Sequence, residues 1–447
     1  MEDFLLKYIQ LRFYKFVSFI FGVVLLFLFF NLIDNFLLKF ISNNNDRLKI
    51  YLFITICWAV YWLYFRYYLR KNKKNKIGLV IAIKVESRRE ESRLKNDFIS
   101  KLRENVNKEE FGKLINIIVL KNHVAEKMQG KDAICKLHKK LKGHFYIWGS
   151  IKRRKDGANK YFLNLNGMVV HSPINIRASK ALSNEFTGIL PKEISFLEDL
   201  ELRGFEFAAD IVYLASRYVT GIAAFISGYT LIAYNFHNNL YGEFNKFRPL
   251  PENLQRIRNR IPILISNEAL LLARYNYNNN NIAEMENWIN TALQSNVNNY
   301  GVWLLKAIYQ FKIVNDPIGA LDCLKKARKN AHYTFEWRYS RAFLLFWLEK
   351  YTEALKDCNY LAKNNYQNES ITTEEVENFT LEQLLTHKKP QLYFWLGFIN
   401  YRKRFNFPKS LKYFEEFERN ANDLSFNILK QKSQVYLSQI KQKMKIS

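Results

Sequence analysis

Two long apolar runs near the N-terminus constrain this chain more than any other feature. Phe16 to Ile33 reads FVSFIFGVVLLFLFFNLI, 18 residues without a charge, and Ile50 to Phe65 reads IYLFITICWAVYWLYF before continuing past Arg66 to Leu69. Roughly 20 apolar residues in a helix cross a hydrocarbon core about 30 Å thick, so both runs are long enough to span. Lys7, Arg12 and Lys15 precede the first run as they would a signal peptide, but no small-x-small cleavage site follows and a second run comes soon after. The expectation is a transmembrane hairpin, with spans at about 16–38 and 50–69, inside a first segment 1–76.

Flanking charge sets the orientation. Arg66, Arg70, Lys71, Lys73, Lys74 and Lys76 follow the second run with no acid among them, whereas the connecting ISNNNDRLK is short and weakly charged. The positive-inside rule places this basic collar, the N-terminus and the large C-terminal region in the cytoplasm of a multi-pass protein of the cell inner membrane. Trp58, Tyr61, Trp62, Tyr64, Tyr67 and Tyr68 suit an interfacial aromatic belt or plain helix packing, and Asp34 suits the interface rather than the apolar centre. With 68 Lys and Arg against 41 Asp and Glu, the net charge of +27 points to anionic partners, lipid headgroups first. Four scattered cysteines without a C-x-x-C pair argue against a disulfide framework.

Residues 77–180 read as a basic α/β domain. Ile77–Ile83 and Leu114–Leu120 are short apolar runs suited to buried strands, Glu86–Val106 and Val124–Leu141 read as amphipathic helices, and His144–Ile151 and Tyr161–Val170 flank a turn at Asp156-Gly157. Residues 70–175 carry 26 Lys and Arg against 10 Asp and Glu, an excess of 16. Lys152, Arg153, Arg154 and Lys155 are expected at the hairpin tip, as a solvated turn, an anionic-lipid contact or, less favoured, a phosphate contact without sequence information.

From residue 181 to 447 the chain reads as helix after helix. Ala320 and Ala354 lie 34 residues apart, Ala342 precedes Ala354 by 12, and Tyr393, Leu396 and Gly397 form a W-x-x-L-G-like opening with Tyr for Trp. Gly221, Gly228 and Ala233 fit one unit of the same template, and Ala273 and Ala292 another, giving five degenerate units between about 214 and 423. This resembles the tetratricopeptide repeat, in which small residues let paired helices approach and stacked pairs form a solenoid. Ile211–Ala233 could pass for a third span, but a mid-span Arg217 costs at least ~2.5 kcal/mol, so burial inside the array is expected. An acidic insert at 370–389, with Glu374, Glu375, Glu377 and Glu382, is expected to hold a short helix capped by Thr372, and Ser425–Lys445 a polar capping helix.

The strand-helix order ahead of these units, with Phe145-Tyr146-Ile147-Trp148-Gly149-Ser150-Ile151 returning through Tyr161–Val170, resembles the TolB amino-terminal-like domain. The resemblance implies protein interaction and supplies no catalytic residue; the family's namesake is periplasmic and continues into a β-propeller, unlike this chain. The fold class expected is thus membrane-anchored α+α/β: two transmembrane helices, a small α/β domain and a C-terminal α-solenoid of tetratricopeptide-like hairpins.

No phosphate loop, H-E-x-x-H or G-x-S-x-G motif is present, and the seven histidines form no spaced ligand set. Cys135 and His138 share a helix face at i, i+3 but lack an oxyanion device. No catalytic residue, metal or cofactor is expected. The functional expectation is a bacterial, non-enzymatic scaffold that captures a protein or peptide partner on the repeat array, with homo-oligomerisation open. Its rivals are a stress or antiphage sensor-effector whose oligomerised spans perturb the membrane and, less favoured, a nucleic-acid tether.

Overall fold

The structure, a computed structural model, describes residues 16–34, 44–108, 113–128, 130–154, 160–170, 176–190, 194–197, 201–244, 252–331, 335–365 and 369–446. These are mostly helical, with one small mixed sheet. The chain divides into two compact units, Met1–Gly228 with Pro251–Leu254, and Tyr229–Leu250 with Gln255–Ser447.

In the first unit the two apolar runs form helices α1 (Phe16–Asp34) and α2 (Asn44–Tyr67), which pack against each other. The Trp58 indole seals the crossing: its Nε1 donates to the Phe19 carbonyl at 3.3 Å, and its ring lies where a Cβ on Gly22 would stand. Trp62 is buried under Phe16 and Phe19. The outer faces stay apolar and open, with Phe21, Val24, Leu28, Leu52, Phe53, Ile56, Val60 and Leu63 all exposed. Leu48–Tyr67 is long and apolar enough to cross a membrane, and only 6% of it is buried. The flanking residues 1–15 and 35–43, with Lys7, Arg12 and Lys15, lie outside the described residues.

The sheet has the order β2-β1-β3-β4-β5. Strand β1 (Ile77–Val85) runs parallel to β2 (Ile115–Val119) on one side and to β3 (Phe145–Arg154) on the other. Then β4 (Lys160–Val169) and β5 (Ile194–Leu197) follow antiparallel. A strand covered on both faces needs no polar alternation, which is why Leu79 to Ile83 are all buried. Between β1 and β2 the chain is helical as α3 (Arg88–Arg93), a π-helical turn (Leu94–Ile99) and α4 (Ser100–Asn107). A capping box starts it, with the Ser87 side chain accepting from the Glu90 N–H and Glu90 reaching back. Leu94, Phe98 and Leu102 are its buried stripe, as the spacing requires.

Four sequence expectations change here. The helix expected over Val124–Leu141 is two, α5 (Asn122–Ala125) and α6 (Lys131–Leu141), broken at Gly130, whose φ of +92° suits only glycine. Strand β3 runs three residues past Ile151, so Lys152, Arg153 and Arg154 belong to the paired ladder, opposite Phe162, Tyr161 and Lys160, and not to the turn. Lys155 and the Asp156-Gly157 turn lie outside the described residues. Past residue 180, α7 (Ile176–Ile189) covers β4 and β5 joins the sheet, so sheet structure extends into the stretch read as purely helical. Finally α8 (Glu201–Ile226), the would-be third span, is 72% buried over Arg203–Ile226, as expected of a core helix. It packs against α4, the π-helical turn, α7 and β5, however, and not inside a repeat array.

The second unit contains α9 (Thr230–Phe244), α10 (Glu252–Asn278) and α11 (Ile282–Ser295). Next come α12 (Tyr300–Lys312) with α13 (Pro317–Lys329), and α14 (Glu336–Trp347) with α15 (Tyr351–Lys363). The acidic insert follows as α16 (Glu369–His387), then α17 (Pro390–Arg402) with α18 (Phe407–Asn420), and α19 (Asn427–Ile446) closes the unit. Neighbouring helices in each pair pack directly across turns of three or four residues. The insert helix is long, and Thr372 lies within it rather than capping it. Leu429, Ser433, Tyr436 and Ile440 form the buried stripe of α19, and Ile428, Val435 and Met444 stand exposed among its polar residues.

Candidate functional site

The basic collar is fastened to the sheet. A helix leaves its last carbonyls without intrahelical partners. At the end of α2, Lys121 Nζ donates to the Phe65 carbonyl at 2.7 Å and His123 Nε2 lies 3.2 Å from the Arg66 carbonyl. Both partners come from the turn after β2, and burial lowers the pKa of each; for His123 the bond to the Arg66 carbonyl opposes this and the nearby Lys121 charge adds to it. The same turn also grips the end of β1, where Asn122 accepts from the Val85 N–H and donates to the Val85 carbonyl, each at 3.0 Å.

The linker past α2 is held by one asparagine. Asn72 donates from its backbone to the Leu141 carbonyl at 2.9 Å and from Nδ2 to the Lys76 carbonyl at 2.7 Å, while its Oδ1 accepts from Asn116 at 2.9 Å. Leu69 packs against the core face formed by Val80, Ile118, Leu137 and Leu141. The collar cations are left outside this clamp: Arg70, Lys71, Lys73 and Lys74 are exposed, and Arg66 and Lys76 half-buried. The Arg66 guanidinium lies 4.9 Å from the Trp62 ring centre. Lys152 is exposed on β3. Sequence reading identified the cations and missed the clamp, whose only local signal is one asparagine amid lysines.

Of the small residues chosen for helix packing, Ala233, Ala273, Ala292, Ala320, Ala342 and Ala354 are fully buried, and Gly221 is buried in α8. Gly228 differs. It sits exposed in the turn after α8 with φ +84° and open space where a Cβ would stand, so its role is conformational rather than packing. Gly397 packs as expected: a Cβ there would lie 2.9 Å from the Phe414 ring. Gly149 of β3 is needed because a Cβ would meet the Asn164 carbonyl on β4.

The structure reveals one geometry recurring four times. Asn280, Asn315, Glu349 and Phe405 all have positive φ, near +50° to +60°. Each is followed by a residue whose N–H bonds back into the preceding helix, and whose carbonyl accepts from the residue four later: Asn281 with Met285, Asp316 with Ala320, Lys350 with Ala354, and Asn406 with Ser410. Met285, Ala320, Ala354 and Ser410 are all fully buried. Ala273, Ala307, Ala342 and Gly397 on the preceding helices are buried as well, and Ser410 Oγ donates to the Gly397 carbonyl at 2.7 Å. The first three turns are 35 and 34 residues apart, and the insert helix accounts for the longer step to Phe405. Sequence reading missed Met285, Ala307 and Ser410: Met and Ser do not stand out as helix-packing residues, and Ala307 was not aligned with the 34-residue template.

Buried polar groups in the second unit tie helices together. His237 Nδ1 and Glu268 Oε1 lie 2.7 Å apart between α9 and α10, and burial pushes the Glu268 carboxyl up. Asp357 on α15 pairs with Arg338 at 2.7 Å and Arg341 at 3.0 Å; burial raises its carboxyl and the two guanidiniums, Arg341 first, oppose that. Glu377 of the insert takes Arg404 at 2.8 Å and Lys409 at 2.7 Å. His138 is turned toward the Gly143 carbonyl and the Tyr146 hydroxyl, each at 3.0 Å, which makes it part of the turn into β3. Among the described residues, no group of three His, Cys, Asp or Glu is placed to hold a metal ion. Comparison of the chain with protein-family models, with curated proteins and with solved structures found no match.

Proposed function

We propose that this chain is a non-enzymatic adaptor of the bacterial inner membrane, anchored by α1 and α2, that captures a protein partner in the cytoplasm on tetratricopeptide-like hairpins. The observation that carries the reading is the fourfold turn with its paired small residues, because helix pairs repeated at one geometry build an extended recognition surface rather than a closed pocket. The open apolar faces of α1 and α2 support the anchor, since exposed patches of that kind mark membrane or protein contact. Crosslinking and mass spectrometry on detergent-solubilised, nuclease-treated complexes tests this. Partner crosslinks should map to lysines of α12 to α18 and vanish when the chain is cut after Phe244; a partner set unchanged by that truncation would refute the adaptor.

The clamp on α2 favours a second reading, a sensor-effector in which α2 and the sheet move as one piece. Overexpression would then depolarise cells and a charge placed at Val24 would abolish this, whereas unchanged membrane potential counts against it.

A further inference from the structure

Five cations from three helices of the second unit gather around two indoles. Lys306 of α12 lies 5.7 Å from the Trp303 ring centre and Lys326 of α13 lies 4.5 Å from the same ring. Arg328 of α13 approaches Trp337 at 5.5 Å, as does Arg341 of α14, and Arg338 stacks on Trp337 at 4.6 Å and on Tyr360 of α15 at 3.8 Å. The neighbouring hairpins meet here, because the Tyr300 hydroxyl at the start of α12 donates to Glu336 at 2.8 Å and accepts from the Trp337 N–H at the start of α14.

The local carboxylates do not balance these cations. Asp357 is buried beneath Arg338 and Arg341, Glu336 is engaged by Tyr300, and the exposed Asp322 of α13 is paired with Lys325 at 2.8 Å. Lys306, Lys326 and Arg328 have no carboxylate within ion-pair distance among the described residues. Asp357 and the rings meanwhile hold the Arg338 and Arg341 guanidiniums in place, so a bound anion finds part of its donor set already ordered.

We propose that this surface across α12 to α15 docks an acidic polypeptide segment, rich in Asp and Glu, which would be the partner class of the adaptor and so rests on that reading. A second copy of the chain is disfavoured as occupant by charge, since each carries +27. Nucleic acid is disfavoured because single strands bind by stacking bases on open aromatic faces, and here Trp303 is 7% and Trp337 4% exposed, each beneath cations. Carboxylates need only the charge-assisted donors above the rings.

The test uses the full chain in neutral detergent and a fluorescein-labelled acidic peptide of about a dozen Glu and Asp residues, followed by anisotropy. Lys306→Glu, Lys326→Glu and Arg328→Glu together should weaken binding at least tenfold while the circular-dichroism spectrum at the assay temperature stays that of the folded chain; the melt itself can fall, since the three cations also lie over the Trp303 and Trp337 rings. Should that variant misfold, the neutral triple K306Q/K326Q/R328Q should still lose several-fold. Raising salt should weaken the wild type more than either variant. Wild-type affinity in the variants overturns the proposal, and so does an oligouridylate of equal charge binding as tightly with the same variant losses. Partner crosslinks that persist in the triple variant would sink this surface and leave the adaptor reading standing.

Discussion

Single side chains set where the sheet unit begins and ends, and Tyr146 is the clearest instance. Its hydroxyl accepts the Gly143 N–H at 2.9 Å and lies 3.0 Å from His138 Nδ1, while its ring is buried in the core face below β1 and β3. Burial pushes its phenol from 10.0 up to about 12. An acid whose folded pKa is raised contributes stability fully below its unfolded pKa and loses it as pH climbs through the folded one. Melting temperature should therefore fall more steeply between about pH 10 and pH 12 in the wild type than in Tyr146→Phe, which cannot ionise. At neutral pH the same substitution should cost about 1–3 kcal/mol, because the Gly143 N–H is left buried without its acceptor. Parallel melting curves across the alkaline range would contradict the assignment.

Among elements, the insert helix α16 tests whether an interruption can be structural. Glu377 is 1% exposed and holds Arg404 in the turn between α17 and α18 and Lys409 on α18, with Asn400 Nδ2 on α17 a further donor at 3.2 Å. Removing one member of a buried pair leaves the others uncompensated, at about 3–5 kcal/mol, with the lower end expected because both cations are partly exposed. Glu377→Ala should lower the urea midpoint of unfolding by that amount and Glu377→Gln by less; a loss below about 1 kcal/mol would make the insert an appendage. In the sequence this helix reads only as a short acidic insert, because periodicity does not show which of four glutamates faces inward. Continuous apolar runs, by contrast, made β1 and β2 legible, and the 34-residue spacing of Ala320 and Ala354 marked two of the four equivalent turns. Strand β5 was missed because ISFL is four residues long and only pairing with β4 makes it a strand. The reach of β3 to Arg154 was missed because charged residues on a projecting hairpin carry no burial pattern. Helix α8 was correctly read as buried, but which elements cover it depends on tertiary packing that hydropathy does not encode.

At the scale of the whole molecule the account stands on α2 lying in a membrane with the sheet unit on its cytoplasmic side. In the proposed orientation the six-cation collar would face the cytoplasm, and the clamp through Lys121, His123 and Asn72 ties the collar to the sheet. The cysteines report on both halves of the claim. Cys57 on α2 and Cys135 on α6 are exposed on the protein surface, whereas Cys323 and Cys358 are buried. A membrane-impermeant maleimide applied to intact inside-out vesicles should modify Cys135 and leave Cys57 untouched until detergent strips the lipid from α2. Full modification of Cys57 in the intact vesicles, alongside Cys135, would show α2 in water and contradict the anchor.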